Sequence, residues 1–133
     1  HLAQVIVSYV KQHHPQLIIL APVLSELAKA SAAAWMITAL EVFADRTYED
    51  DGTLTPRSME GSLITNPEQA RDHVQQMIVE KAIISRTGKK LPTPFHSICL
   101  HSDTPNSVEI SNQICILLQS MGVQQLTLPE LFL

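Results

Sequence analysis

Short apolar runs alternate along this chain with segments of helical period, and that alternation does most to narrow its fold. The runs Leu17–Leu20, Met36–Phe43 and Ser97–Leu100 have the length and continuous apolar character of buried parallel strands. Between them lie helical patterns. Leu2, Val5, Ile6, Tyr9 and Val10 share one face of the first, which His13, His14 and Pro15 end. A small-residue helix after Pro22 runs to about Ala33, with Leu24, Leu27 and Ala28 expected to face inward. Asn66 can cap a third helix, with Pro67 at its first position, Gln69 completing a capping box, and Ala70, Val74, Met77, Ile78 and Ala82 on its buried face. Thr104 can cap a fourth, with Pro105 first, Ile110, Ile114, Leu117, Leu118 and Met121 as its stripe, and Gly122 as its stop. Val123–Leu128 fits a last strand or an extended tail. The expectation is an α/β protein, a single segment over residues 1–133, with three to four parallel strands and outer helices. An open sheet and an arc of a (β/α) barrel fit this order equally.

Composition excludes several classes. The chain has 133 residues, 45% of them apolar, enough for a real core. A net charge of -4 with scattered basic residues argues against a nucleic-acid surface. No apolar stretch reaches the roughly 20 residues a membrane helix needs. Cys99 and Cys115 sit in apolar company without metal-ligand spacing, as buried thiols of a reducing compartment do, so a cytoplasmic location is expected. No leader pattern is visible, and the start at His1 leaves room for an upstream portion.

In parallel α/β architectures sites gather where strands end. After Phe43 the chain enters a long polar stretch, 44–66, with Gly52, Pro56 and Gly61, and loops this long are usually functional or disordered. Glu41 is a costly carboxylate inside an apolar strand. Asp45 and Arg46 stand at the strand exit, and Arg57 lies in the same loop. Arginine forks suit a ligand's carboxylate or phosphate, but an internal ion cluster pinning the loop explains the same residues. Asp50-Asp51-Gly52 reads as a turn. After Leu100 comes His101-Ser102-Asp103-Thr104-Pro105, where a His and an Asp leave a strand on one side and enter a helix. His101 and Asp103 can serve as general acid or base, or as metal ligands, beside a helix start able to hold an anion. The competing reading is a cap and a packed ring. His13, His14, His73 and His96 read as structural or solvated, His73 on the outer face of its helix. Gly88-Lys89-Lys90 lacks the pattern of a phosphate-binding loop.

The stretch Glu41–Ile64 resembles the E-V-F-A-D-R-x-Y-x-x-D-G-x-L-x-P-R-S-x-x-G-x-x-I motif of the LamB/YcsF family, without gaps. Ile98-Cys-Leu-His-Ser-Asp-Thr-Pro105 is similar to its later I-C-V-H-G-D-x-P motif, in the same order, and the helix from Asn66 also fits. Ser102 stands where that motif has Gly, and Leu40 where an acidic residue often precedes Glu41. The resemblance covers the chain from about Leu17 onward. It implies a seven-stranded barrel of deacetylase-like type, of which this chain would be the C-terminal half. It also implies ATP-dependent opening of the 5-oxoproline lactam to glutamate, together with 5-oxoprolinase B and C subunits. The family's stretches D-L-N-x-D-x-G-E, C-G-F-H-A-G-D, H-P-x-x-x-D and K-P-H-G-x-L-Y are absent here. The N-terminal half, or another chain, is therefore expected at open strand edges.

From the motif positions, Asp45, His101 and Asp103 are expected to be catalytic, and Glu41, Arg46 and Arg57 to bind substrate. ATP would enter through the full complex, with a divalent metal as a further cofactor. Two other readings compete: a deacetylase-like, metal-dependent hydrolase of carbohydrate metabolism, and a non-catalytic half-barrel assembly module.

Overall fold

The computed structural model describes residues 1–132. Its elements run α1 (Leu2–His13), β1 (Ile19–Pro22), α2 (Glu26–Ala33), β2 (Thr38–Phe43), α3 (Pro67–Glu80), β3 (Ala82–Ile84), β4 (Lys90–Pro92), β5 (Ser97–Cys99), α4 (Ser107–Ser120) and α5 (Leu128–Leu131). The three apolar runs form one parallel sheet in the order β1-β2-β5. The α/β architecture therefore stands as expected, with three parallel strands rather than four. Among the described residues, no helix is long and apolar enough to cross a membrane.

Register fixes which residues share a face, because in-register neighbours of a parallel sheet point the same way. Leu40, Val42, Ile98 and Leu100 pack into one core with Ala70, Val74 and Met77 of α3 and Ile110, Ile114 and Leu117 of α4. Thr38 is on this side too and donates to Ser31 of α2 at 2.7 Å. The helices thus collect on one face. The other face carries Leu20, Pro22, Glu41, Ser97 and Cys99, and it is left half open. The outer edges of β1 and β5 are unpaired within the described sheet. Near one edge, Trp35 at the end of α2 is 92% exposed, and Leu2, Val5, Ile6 and Tyr9 of α1 face solvent.

Several local expectations need correction. Ala82 does not lie on α3. Lys81 turns left-handed at φ 50°, ends the helix and starts an antiparallel hairpin, β3–β4, where the sequence suggests only a loop. Val123–Leu128 is not a strand; it runs without regular structure into α5. Leu24 is exposed rather than inward, with φ 59°. Its side chain meets Gly52, and that turn of the long loop needs glycine for its φ of 87°. Asn66 caps α3 as expected, accepting from Gln69 N–H at 3.0 Å.

The stretch 44–66 is ordered. Ile64 N–H donates to Asp45 C=O and Thr47 N–H to Ser62 C=O, so the loop returns beside its own start. The hairpin props its far end. Asp50 accepts from the Ser85 and Thr87 hydroxyls, each at 2.6 Å, and Lys89 Nζ reaches Asp50 C=O at 2.9 Å.

Candidate functional site

Phe43 and Cys99 are partners in the β2–β5 register. Asp45 and His101 each lie two residues beyond, so adjacent parallel strands deliver them to the same end of the sheet. Both Asp45 carboxylate oxygens lie 3.0 Å from His101 Nδ1. Oδ2 also accepts from His101 N–H at 3.2 Å and from the Thr104 hydroxyl at 2.5 Å. Asp45 is fully buried, whereas the His101 side chain keeps 28% of its surface exposed. The ring is stacked on Phe43, with centroids 5.6 Å apart and planes 6° from parallel. A carboxylate on Nδ1 fixes the tautomer with the proton on that nitrogen. Nε2 has no protein partner among the described residues and is left free to take or give a proton.

A second link crosses the same rim. Arg57 Nη1 of the long loop donates to Asp103 Oδ2 at 3.2 Å, with the side chains 46% and 67% exposed. That hydrogen bond and the guanidinium charge hold the Asp103 carboxyl below its ordinary range. Asp103 thus pairs with Arg57 rather than with His101. The imidazole's carboxylate is Asp45. The strand pairing holds the missing signal: once β2 and β5 are taken as neighbours, equal offsets from Phe43 and Cys99 pair these two side chains.

Arg46 departs from expectation. It is buried, and its guanidinium is spent on the loop itself, Nε on Ser62 C=O at 3.3 Å and Nη2 on Thr55 C=O at 2.7 Å. The four charged groups of the first stretch do not converge on one another. Glu41 instead accepts from the Ser97 hydroxyl at 2.9 Å on the half-open face. Burial pushes the neighbouring Cys99 thiol up, with Glu41 adding to the effect.

Two other histidines resolve differently. His96 is structural as expected, its Nδ1 accepting from Leu40 N–H at 3.0 Å beside the β2–β5 ladder. His73 is not on an outer face. The long loop folds over α3, Tyr48 lies against the ring at 6.3 Å, and Nε2 is buried without a hydrogen bond. Burial pushes this imidazole down, although the nearby Phe43 and Arg46 carbonyls oppose the shift.

Among the described residues, no group of three or more His, Cys, Asp or Glu can hold a metal. Lys89 and Lys90 bond to Asp50 C=O and Glu80, so the hairpin offers no phosphate cradle. A cavity of about 710 Å³ lies between β5, α4 and the C-terminal segment. It is mostly apolar and contains neither His101 nor Arg57. It is the gap beside an unpaired strand edge. A shallower hollow of about 280 Å³ borders His101, Ser102 and Ser107.

Fold and site together define a parallel α/β protein whose polar groups meet where two neighbouring strands end. The LamB/YcsF family model matches residues 1–132, and the chain belongs to that family. It is 42% identical over 113 residues to the 5-oxoprolinase A subunit of Coprothermobacter proteolyticus, covering 85% of this chain and 43% of that protein. It is 36% identical over 130 residues to the 5-oxoprolinase A subunit of Azoarcus sp., covering 98% and 51%. Among solved structures, the lactam utilization protein from Thermus thermophilus superposes with a TM-score of 0.78 at 29% identity, over 90% of this chain and 47% of that one. The chain thus spans about half the length of the curated relatives it matches.

Proposed function

We propose that this chain forms the C-terminal half of a 5-oxoprolinase A subunit and contributes one wall of its lactam-opening site. The observation that carries the reading is the meeting of the two family motifs on one rim, Asp45 with His101 at 3.0 Å and Arg57 with Asp103 at 3.2 Å. The half-open face and unpaired edges support completion by further strands, since parallel sheets are buried on both faces. Closure into the seven-stranded barrel would place Glu41, Ser97 and Cys99 inside it. It would also cover the apolar surface around Trp35.

A five-membered lactam acid presents a carboxylate, a ring N–H and a ring carbonyl. Arg57, held from one side by Asp103, keeps N–H groups for the carboxylate. Glu41 offers an acceptor to the ring N–H. His101, oriented by Asp45, exchanges a proton at Nε2, where an attacking water loses one or the departing ring nitrogen gains one. Arg46 serves by fixing the loop that carries Arg57, not by touching substrate. On this reading nucleotide and any divalent ion are held by the full complex, with the N-terminal half and the B and C subunits.

The test is reconstitution. This chain, the N-terminal half and the B and C subunits are combined with ATP and pyroglutamate, and glutamate is measured. The complete set should be active, each set lacking a component inactive, and His101→Ala should slow turnover by about 100-fold or more. Opening of pyroglutamate by this chain alone would refute the reading, as would full activity of the His101→Ala assembly.

A further inference from the structure

The geometry points to Thr104 as a positioning residue, the hydroxyl that holds the Asp45 carboxylate in the orientation His101 needs. The sequence suggests a simpler task, since Thr-Pro is a common helix opening. The structure assigns that hydroxyl elsewhere. α4 begins only at Ser107, its cap position is Asn106 at φ 62°, and no side chain caps it. An uncapped helix end is unfavourable locally. What the turn gains is a hydroxyl on Asp45. Thr104 is 4% exposed, and its Oγ1 donates to Asp45 Oδ2 at 2.5 Å.

Without that bond, the carboxylate would be held only by His101, through its N–H and its ring. The ring would then be oriented by a carboxylate whose only other anchor is the His101 N–H at 3.2 Å. Thr104 supplies the independent anchor. Its own turn is fixed by Thr104 N–H to His101 C=O at 3.3 Å and by Asn106 Nδ2 to Thr65 C=O at 3.0 Å, where the long loop ends. The chain of restraint runs from the backbone through Thr104 and Asp45 to Nδ1, and it leaves Nε2 as the free nitrogen.

This inference rests on the proposed role of His101 only for its kinetic readout; its spectroscopic readout does not. The chain is labelled with ¹⁵N-histidine, and His101 is followed in wild type, Thr104→Val, Thr104→Ala and Thr104→Ser. Wild type and Thr104→Ser should show a single tautomer protonated at Nδ1, and Thr104→Val a mixture. In the reconstituted enzyme Thr104→Val should lower kcat by about tenfold with KM within about twofold, and Thr104→Ser should restore it. A single unchanged tautomer in Thr104→Val overturns the proposal, as does a kcat loss that serine fails to rescue. Thr104→Ala carries the same test if the valine chain does not fold. If both unfold while Thr104→Ser is native, the hydroxyl serves folding and the proposal falls. An inactive wild-type assembly would count against the lactam reading alone, because the tautomer comparison needs no turnover.

Discussion

Arg46 and Arg57 belong to one loop and carry the same side chain, yet they occupy opposite layers of the site. Arg46 lies in the buried floor beside Asp45 and gives its N–H groups to the carbonyls of Ser62 and Thr55. Arg57 lies on the exposed rim, with one bond to Asp103 and the rest of its fork open to solvent. Burial thus decides which guanidinium the fold itself uses up. A guanidinium out of water must have all its bonds satisfied by the fold, and one at a rim can keep some for a ligand.

The comparison can be broken most directly at the floor. Arg46→Met should remove about 3–5 kcal/mol of stability, because two charge-assisted bonds vanish and the Thr55 carbonyl loses its donor. Urea denaturation would measure it, and a change under about 1 kcal/mol would place Arg46 with the rim. Asp45→Asn should keep the fold but lower turnover of the reconstituted enzyme by about 100-fold, roughly 2.7 kcal/mol, because an amide no longer enforces the His101 tautomer. A normal rate would detach floor from chemistry.

His73 sharpens the same contrast through pH. Its folded imidazole is depressed below the ordinary 6.5 by burial, so the unfolded chain binds a proton the folded one refuses. Stability should therefore fall as pH drops below about 6.5, with a His73 contribution of at most about 1.4 kcal/mol per pH unit, and His73→Phe should flatten it. An unchanged slope in that variant would mean that the ring titrates as if in water. The smallest effect belongs to the rim. Arg57→Ala should leave urea stability within about 0.5 kcal/mol, as exposed ion pairs contribute little. The same change should raise the Asp103 carboxyl toward its ordinary value in an NMR titration, since Arg57 is what lowers it.

Much of this is legible in the residues. The apolar runs locate the three parallel strands within about two residues, and Asn66-Pro67 marks the start of α3. The motif positions also share one end of the sheet, where Asp45 meets His101. What local pattern does not supply is pairing across distance. His101 stands two residues from Asp103 in sequence, but its carboxylate partner comes from another strand. Thr104 looks like a cap because capping is a local pattern, while its actual acceptor is remote. His73 looks exposed on a helix read alone, without the long loop that folds over it. The β3–β4 hairpin escapes notice because Pro92 and Pro94 disguise a short edge pair as a loop.

That hairpin has a mechanical meaning for the rim. The long loop leaves the sheet like a cantilever, and such a beam sags unless its free end rests on something. Asp50, clasped by Ser85, Thr87 and Lys89, is that support. Shortening the hairpin would leave every residue of the rim unaltered in sequence, yet let the beam swing and carry Arg57 away from Asp103.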